Sequence, residues 1–339
     1  MEAKFELGDF ELDSGAVLRK AYLGYETHGE LNDDKSNVIV YPTWFGGVHE
    51  DNRGFIGEGQ ALDPSKYFII VPDQFCNAHS SSPSNHEAPQ DRMRFPLITP
   101  YDNVNAQHKL LTEHFGIEKI AMVVGYSMSA QQCFHWAAAY PDMVERIAPI
   151  CGTSKTTPHD WIHLEGMKAA LQADAVWAGG DYRSRPEAGM RAAAVVVAGW
   201  AMSQTFYRRG LHLSLFGQDF KSAKEFIDFF PVAFESWDAN DFIGLIQTWQ
   251  SADVSNHSKF GGDLAAALGA IKCPALLMPC ETDLYFPPED SEIEAAMMPN
   301  AELRVIPSIW GHIAAHPLFA PPEDVAFIDQ ALKDLLARA

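Results

Sequence analysis

The feature that most constrains this chain is an alternation of strands and helices that stops and then resumes. Short, apolar, β-branched runs at NVIVYP (37–42), KYFIIVPD (66–73), KIAMVVGYS (119–127) and RIAPICGT (146–153) read as strands buried on both faces. Helical periodicities follow the second and third of these runs: NVNAQHKLLTEHFGI (103–117) closes on Gly116, and MSAQQCFHWAAAYPD (128–142) stops at Pro141. From about Ser154 to Ser258 the pattern is helical throughout, dense in Trp, Phe and Tyr, with no good strand. Strands resume at CPALLMPCETD (273–283) and ELRVIPS (302–308), and EDVAFIDQALKDLLARA (323–339) reads as a closing helix. At the start, KFELGDFEL (4–12) and AVLRKAYLGYET (16–27) alternate as an antiparallel hairpin does. This order predicts an α/β fold with a mostly parallel central sheet, flanking helices and an inserted helical cap. The core falls at 1–154 and 259–339 and the cap at 155–258, so one core of about 235 residues carries a lid of about 105.

Composition narrows the partners. With 47% hydrophobic residues the chain is too apolar to stay disordered. Lys and Arg number 25 against 45 Asp and Glu, a net charge of −20 that argues against nucleic acid and anionic membrane as partners. The five cysteines (76, 133, 151, 273 and 280) are scattered without a C-x-x-C pair, which speaks against a disulfide framework and a zinc site. MEAKFELGDFELDSG has no apolar signal-peptide core, and AAAVVVAGWAM (192–202) is too short to span a bilayer. A cytoplasmic location is the economical expectation.

The chemistry gathers at three strand ends. Gly125-Tyr126-Ser127-Met128-Ser129 sits where a strand gives way to a helix, a sharp turn that pushes a serine hydroxyl out above the sheet. Ser129 stands where G-x-S-x-G has its second glycine. A serine alcohol needs a base oriented by an acid before it is a useful nucleophile. In an α/β-hydrolase sheet the acid follows a later strand and the histidine lies near the end of the chain. Asp283, after PALLMP, fills the first place, with Glu281 as its competitor. His312, after ELRVIPS and Gly311, fills the second, with His316 as its rival. An oxyanion needs backbone N–H donors. Met128 supplies one, and the loop Pro42-Thr43-Trp44-Phe45-Gly46-Gly47 the other, through Trp44 first and Thr43 second, since proline has no N–H. Neither a phosphate-binding glycine loop nor H-E-x-x-H occurs, so no cofactor and no metal are expected.

These residues, with AYLGYETHGELN (21–32), FPLITPYDNVNAQHKLLTEHFGI (95–117), GYSMSAQQCFHWAAAYPD (125–142), WDANDFIGLIQTWQSADVS (237–255), ETDLYFPPED (281–290) and WGH (310–312), resemble the homoserine O-acetyltransferase family of α/β-hydrolase proteins over nearly the whole chain. The resemblance implies Ser127 as acylated nucleophile, Asp283 as orienting acid and His312 as general base, with a cap that roofs the pocket and forms a homodimer interface. The departures shift the expected activity. Transferases of this family carry G-G-S-M-G-G at the elbow and an arginine in the cap that grips the amino-acid carboxylate. Here Met202-Ser203-Gln204 stand in that neighbourhood, Arg208 and Arg209 lie several residues later, and FCNAHSSSPSN (75–85) replaces a glycine-rich stretch. Losing the clamp removes a contact of roughly 1.5–3 kcal/mol. The likeness is therefore closer to the branch of short-chain acyl esterases that includes hydrolases of alkyl acetates.

Three functions are weighed. A serine carboxylesterase acting on a small-molecule ester leads. An acyltransferase with acetyl-CoA as co-substrate comes second; it would draw on the basic residues Lys155, Lys168, Arg183, Arg185, Arg191, Arg208 and Arg209 as a rim for the CoA phosphates. A catalytically silent binding protein is third, and the intact Ser, Asp and His argue against it. An aromatic cap with Trp161, Trp177, Trp200, Phe206, Tyr207 and Trp237 suits an uncharged alcohol, though packing and a dimer seam account for most such rings.

Overall fold

A computed structural model describes residues 2–338. Its opening hairpin is β1 (Glu2–Glu11) and β2 (Val17–His28), followed by β3 (Val38–Val40), β4 (Phe68–Pro72), helix α1 (Pro100–Lys109), β5 (Met122–Tyr126), α2 (Met128–Ala139) and β6 (Ile147–Ile150). The chain then runs through α3 (Pro158–Gln172), α4 (Glu187–Ala201) and α5 (Gln204–Arg208), a small hairpin of β7 (Ser214–Leu215) and β8 (Gln218–Asp219), and α6 (Ala223–Phe229) and α7 (Ala239–Gln250). It finishes with α8 (Leu264–Ala270), β9 (Ala275–Leu277), α9 (Pro288–Ala295), β10 (Ala301–Leu303) and α10 (Pro322–Leu336).

Eight strands form one sheet in the order β1-β2-β4-β3-β5-β6-β9-β10. β2 pairs antiparallel with both β1 and β4, and every pairing from β4 onward is parallel. Val38–Val40, Phe68–Pro72, Met122–Tyr126 and Ile147–Ile150 are buried along their whole length, as their unbroken apolar runs require. One face packs on α1 and α2 through Val104, Phe134 and Trp136, the other on α10 through Ile328, Leu332 and Leu335. A buried Leu, Ile or Phe contributes roughly 1.5–3 kcal/mol, so these fully buried central strands carry much of the sheet's stability.

Boundaries differ from the expected ones where capping decides them. α1 starts three residues before the apolar periodicity does, because Thr99 and Asp102 form a reciprocal capping box with Pro100 in the first turn. The stretch from Ser154 to Ser258 was expected without a strand, and the β7–β8 hairpin corrects that. Its turn places Phe216 and Gly217 at φ of 57° and 67°; phenylalanine is a residue that no turn rule would nominate there.

The two ends of the helical stretch are zipped together. Thr156 N–H donates to the Ala252 carbonyl and Val254 N–H to the Ser154 carbonyl, each at 2.9 Å. Lys155 pairs with Asp253 at 2.7 Å across this neck. Behind it, Glu294 Oε1 accepts from Ser154 N at 2.7 Å and from Ser154 Oγ at 2.6 Å.

Candidate active site

The turn between β5 and α2 holds Ser127 at φ 59° and ψ −127°, a strained conformation for any L-residue. Strand and helix approach so closely that a Cβ on Gly125 would lie 2.3 Å from the backbone of Ser129, and one on Gly152 would lie 2.7 Å from the Ser127 carbonyl. Ser129, in the place of the usual second glycine, is fully buried. Its Oγ accepts from Tyr126 N at 2.8 Å and donates to the Tyr126 carbonyl at 2.7 Å.

The structure brings the three expected side chains together. His312 Nε2 lies 2.9 Å from Ser127 Oγ, and His312 Nδ1 lies 2.8 Å from Asp283 Oδ2. The remaining oxygen of Asp283 accepts the N–H groups of Tyr285 and Phe286 at 2.9 and 3.3 Å, which fixes the carboxylate. The ring of Tyr126 stacks on the His312 imidazole at 4.8 Å, and the edge of Tyr285 meets it at the same separation. Gly311, at φ 71°, lets the chain pass Ser203; a Cβ there would lie 2.7 Å from Ser203 N. The rivals fall away on geometry. Glu281 is exposed. His316 is buried against the indole of Trp44 at 4.4 Å, and burial, with His312 nearby, drives its imidazole down to about 3.

Of the proposed oxyanion donors, Thr43 N–H is already spent on the Pro72 carbonyl at 3.1 Å. Among the described residues no protein acceptor takes the N–H of Trp44 or Met128. The loop carrying Trp44 is held by amide side chains. Gln74 Nε2 donates to the Trp44 carbonyl at 2.7 Å, Asn77 Nδ2 to Gly47, and Asn52 Nδ2 to both Tyr41 and Pro42 at 3.1 Å. The glycine pair serves packing: a Cβ on Gly46 would lie 1.9 Å from the indole of Trp237, and one on Gly47 would lie 2.5 Å from that of Trp44.

A cavity of about 580 Å³ opens over Ser127 and His312, lined by rings including Phe45, Phe234, Trp237 and Trp249. For most of the cap rings the packing reading holds, whereas the basic rim is corrected. Of the six cap aromatics, only Trp237 lines the cavity; Trp177 and Phe206 are buried in an apolar cluster that the cap shares with Tyr285, Phe286 and Ile313, where Trp200 and Tyr207 also pack, and Trp161 is exposed. Nor do the basic residues form a rim, since no Lys or Arg appears among the described lining residues. Lys155, Lys168, Arg185 and Arg191 are engaged with Asp253, Glu165, Glu187 and Asp228. Sequence reasoning missed the acidic lining, which is Asp51, Asp238 and Asp241. Burial pushes the Asp241 carboxyl up to about 7, although Ser84 hydrogen-bonds both its oxygens.

His49, Asp73 and His79 form the one cluster among the described residues with donors grouped as for a metal. His49 Nδ1 lies only 2.6 Å from Asp73 Oδ2, a hydrogen-bond spacing. Two ligands on one zinc ion stand about 3.3 Å apart, so the group as arranged is a hydrogen-bonded strut under the Trp44 loop. Asp73 Oδ1 also takes His49 N–H at 3.0 Å and Asn77 Nδ2 at 2.9 Å. No local motif announces it, because its members lie 24 or more residues apart except for Asp73, Asn77 and His79.

Known proteins resemble this chain along most of its length. A family model described as "alpha/beta hydrolase fold" matches residues 37–316. The chain is 42% identical over 313 residues to an ethyl acetate hydrolase of Pseudomonas veronii, covering 91% of this chain and 88% of that protein. It is 30% identical over 316 residues to a homoserine O-acetyltransferase of Trichormus variabilis, covering 90% and 87%. Among solved structures, an acetylester hydrolase from Corynebacterium glutamicum superposes with a TM-score of 0.94 at 38% identity, covering 100% of this chain and 96% of that one.

Proposed function

The chain belongs to the alpha/beta hydrolase fold family, and on that premise we propose that it is a serine carboxylesterase hydrolysing short-chain, acetyl-type esters. Ser127 is the nucleophile. His312 takes its proton, and Asp283 holds the imidazole in the tautomer that accepts at Nε2. The N–H groups of Trp44 and Met128 receive the oxyanion. The alcohol leaves with the proton from His312, and water activated by the same imidazole then releases the acid. The observation that carries this reading is the unbroken line from Asp283 through His312 to Ser127, at 2.8 and 2.9 Å, opening onto a ring-lined cavity.

Acyl transfer from acetyl-CoA to homoserine uses the same three residues and is the second reading, favoured by the more distant likeness to homoserine O-acetyltransferases. The cavity argues against it, because neither CoA phosphates nor an amino-acid carboxylate would find a Lys or Arg on its described wall. Assaying the protein with acetyl-CoA and L-homoserine, and separately with ethyl acetate or nitrophenyl acetate, decides between them. Hydrolysis of the acetates without acetylhomoserine formation is expected; efficient acetylhomoserine formation would sink the esterase assignment.

Neither reading needs a resident cofactor or metal. A homodimer through the cap is part of the same proposal, supported by exposed Trp161 and Ile162 on α3, and sedimentation velocity tests it. A cytoplasmic location fits five free cysteines. No described helix is long and apolar enough to cross a membrane.

A further inference from the structure

The cavity wall is acidic and aromatic in a pattern that ester hydrolysis as such does not require. From the catalytic histidine a chain of rings runs outward along the wall. Tyr285 stands 4.8 Å from His312, Trp249 5.5 Å from Tyr285, Phe45 5.7 Å from Trp249, and Trp237 5.7 Å from Phe45. All of these rings line the cavity. At the far end of the chain, Asp238 follows Trp237 directly and caps α7, its Oδ1 accepting from Asn240 N at 2.8 Å and its Oδ2 accepting from the Tyr182 hydroxyl at 2.6 Å. Asp51 reaches the same cavity from the turn after the Trp44 loop, its Oδ2 accepting from Val48 N at 3.0 Å. Neither carboxylate has a Lys or Arg partner on the described wall.

Ring faces are negative and attract cations, and carboxylates in a cleft with apolar walls focus the same sign of potential. The net charge of −20 adds to it. An anionic alcohol entering this cavity finds no Lys or Arg among the described lining residues, whereas a cationic one finds aromatic rings and carboxyl groups there together. A volume of about 580 Å³ lies in the range that accepts drug-sized ligands, far more than an acetyl group needs.

We propose that this wall selects esters whose alcohol half carries a positive charge, a quaternary or protonated ammonium group lying against Trp237 and Phe45 and facing Asp51 and Asp238. The inference rests on the esterase reading. The reaction balances as ester plus water: the acyl C–O bond breaks, the amino alcohol leaves with the proton from His312, and water supplies the second oxygen of the acid.

The test compares kcat/KM for acetylcholine with that for its neutral carbon isostere, in which a tert-butyl group replaces trimethylammonium. The cation is expected to lead by about 5- to 30-fold at low ionic strength, and the lead shrinks as salt is added. Asp238→Asn keeps a good helix cap while removing the charge, and is expected to cut the ratio about threefold or more; Asp51→Asn provides the same reading at a second position. A ratio of one or below, or one indifferent to salt and to both substitutions, overturns the proposal. Titration with tetramethylammonium in a calorimeter reads the site without turnover: saturable binding sustains it, and no binding overturns it. If nitrophenyl acetate is not hydrolysed at all, the esterase reading fails, while the calorimetric result still decides the cation site.

Discussion

Ser129 and Tyr126 exchange two hydrogen bonds, the serine hydroxyl taking the tyrosine N–H and giving its proton to the tyrosine carbonyl. The residue that replaces the second glycine of the elbow therefore ties the strand end to the first turn of α2, next to the strained Ser127. Ser129→Ala leaves both Tyr126 backbone groups unpaired in a buried place and should cost about 1–3 kcal/mol in urea denaturation. Because the loss falls on the turn that holds Ser127, the proposed nucleophile, kcat should fall more than KM changes.

Ser127→Ala should lower turnover by about 10⁴–10⁶-fold with the fold intact. Asp283→Asn should be severe, since it favours the wrong imidazole tautomer. Glu281→Gln, at an exposed position two residues away, should stay near the wild-type rate. Steady-state kinetics on the three variants check this, and equal losses for the two acid variants would reopen the identity of the acid.

Gly46→Ala places a methyl group inside the volume of the Trp237 indole, on a residue at φ 71°. Positive φ costs an alanine about 1–2 kcal/mol before any clash is counted. The substitution should lower the thermal midpoint and, by shifting the Trp44 loop, reduce kcat/KM by at least about tenfold. A variant with unchanged kcat/KM would separate this loop from the reaction.

Burial pushes the Glu294 carboxyl up to about 8, against 4.5 for the free side chain, although Ser154 donates to it. Between those pH values the folded protein binds a proton that the unfolded chain has lost, so this group's contribution to stability falls as pH rises through the window and levels off above it. Glu294→Gln keeps the shape and cannot ionise. Melting curves from pH 5 to 8.5 should show the variant gaining on the wild type by several degrees as pH rises. A constant difference across that range would show that Glu294 does not titrate there.

The positions of Ser127, Asp283 and His312 were legible because each follows a short strand-like run whose end can be read directly: β-branched MVVGY before Ser127, apolar but unbranched PALLMP before Asp283, and ELRVIPS before His312. The choice of Asp283 over Glu281 was not fixed by pattern. Burial of the one and exposure of the other decide it, and burial depends on how the loop after β9 folds back under Tyr285. The cavity wall was hidden for a different reason. Aromatic density marks the helical stretch as well packed, but the ring that faces the cavity depends on how α7 is laid across the core, and only Trp237 of the six named does so. The β7–β8 hairpin escaped because two-residue strands carry no alternation. The strut of His49 and Asp73 escaped because its two members come from separate loops.

The paired neck at residues 154–156 and 252–254 gives the helical stretch the standing of a detour whose way out and way back share one doorway. Lengthening or shortening the path between Thr157 and Ser251 leaves the distance from β6 to β9 untouched, and the sheet closes over the same short span. The helical stretch that roofs the cavity can then be rewritten by insertion or deletion while the strands that set Ser127, Asp283 and His312 in line keep their register.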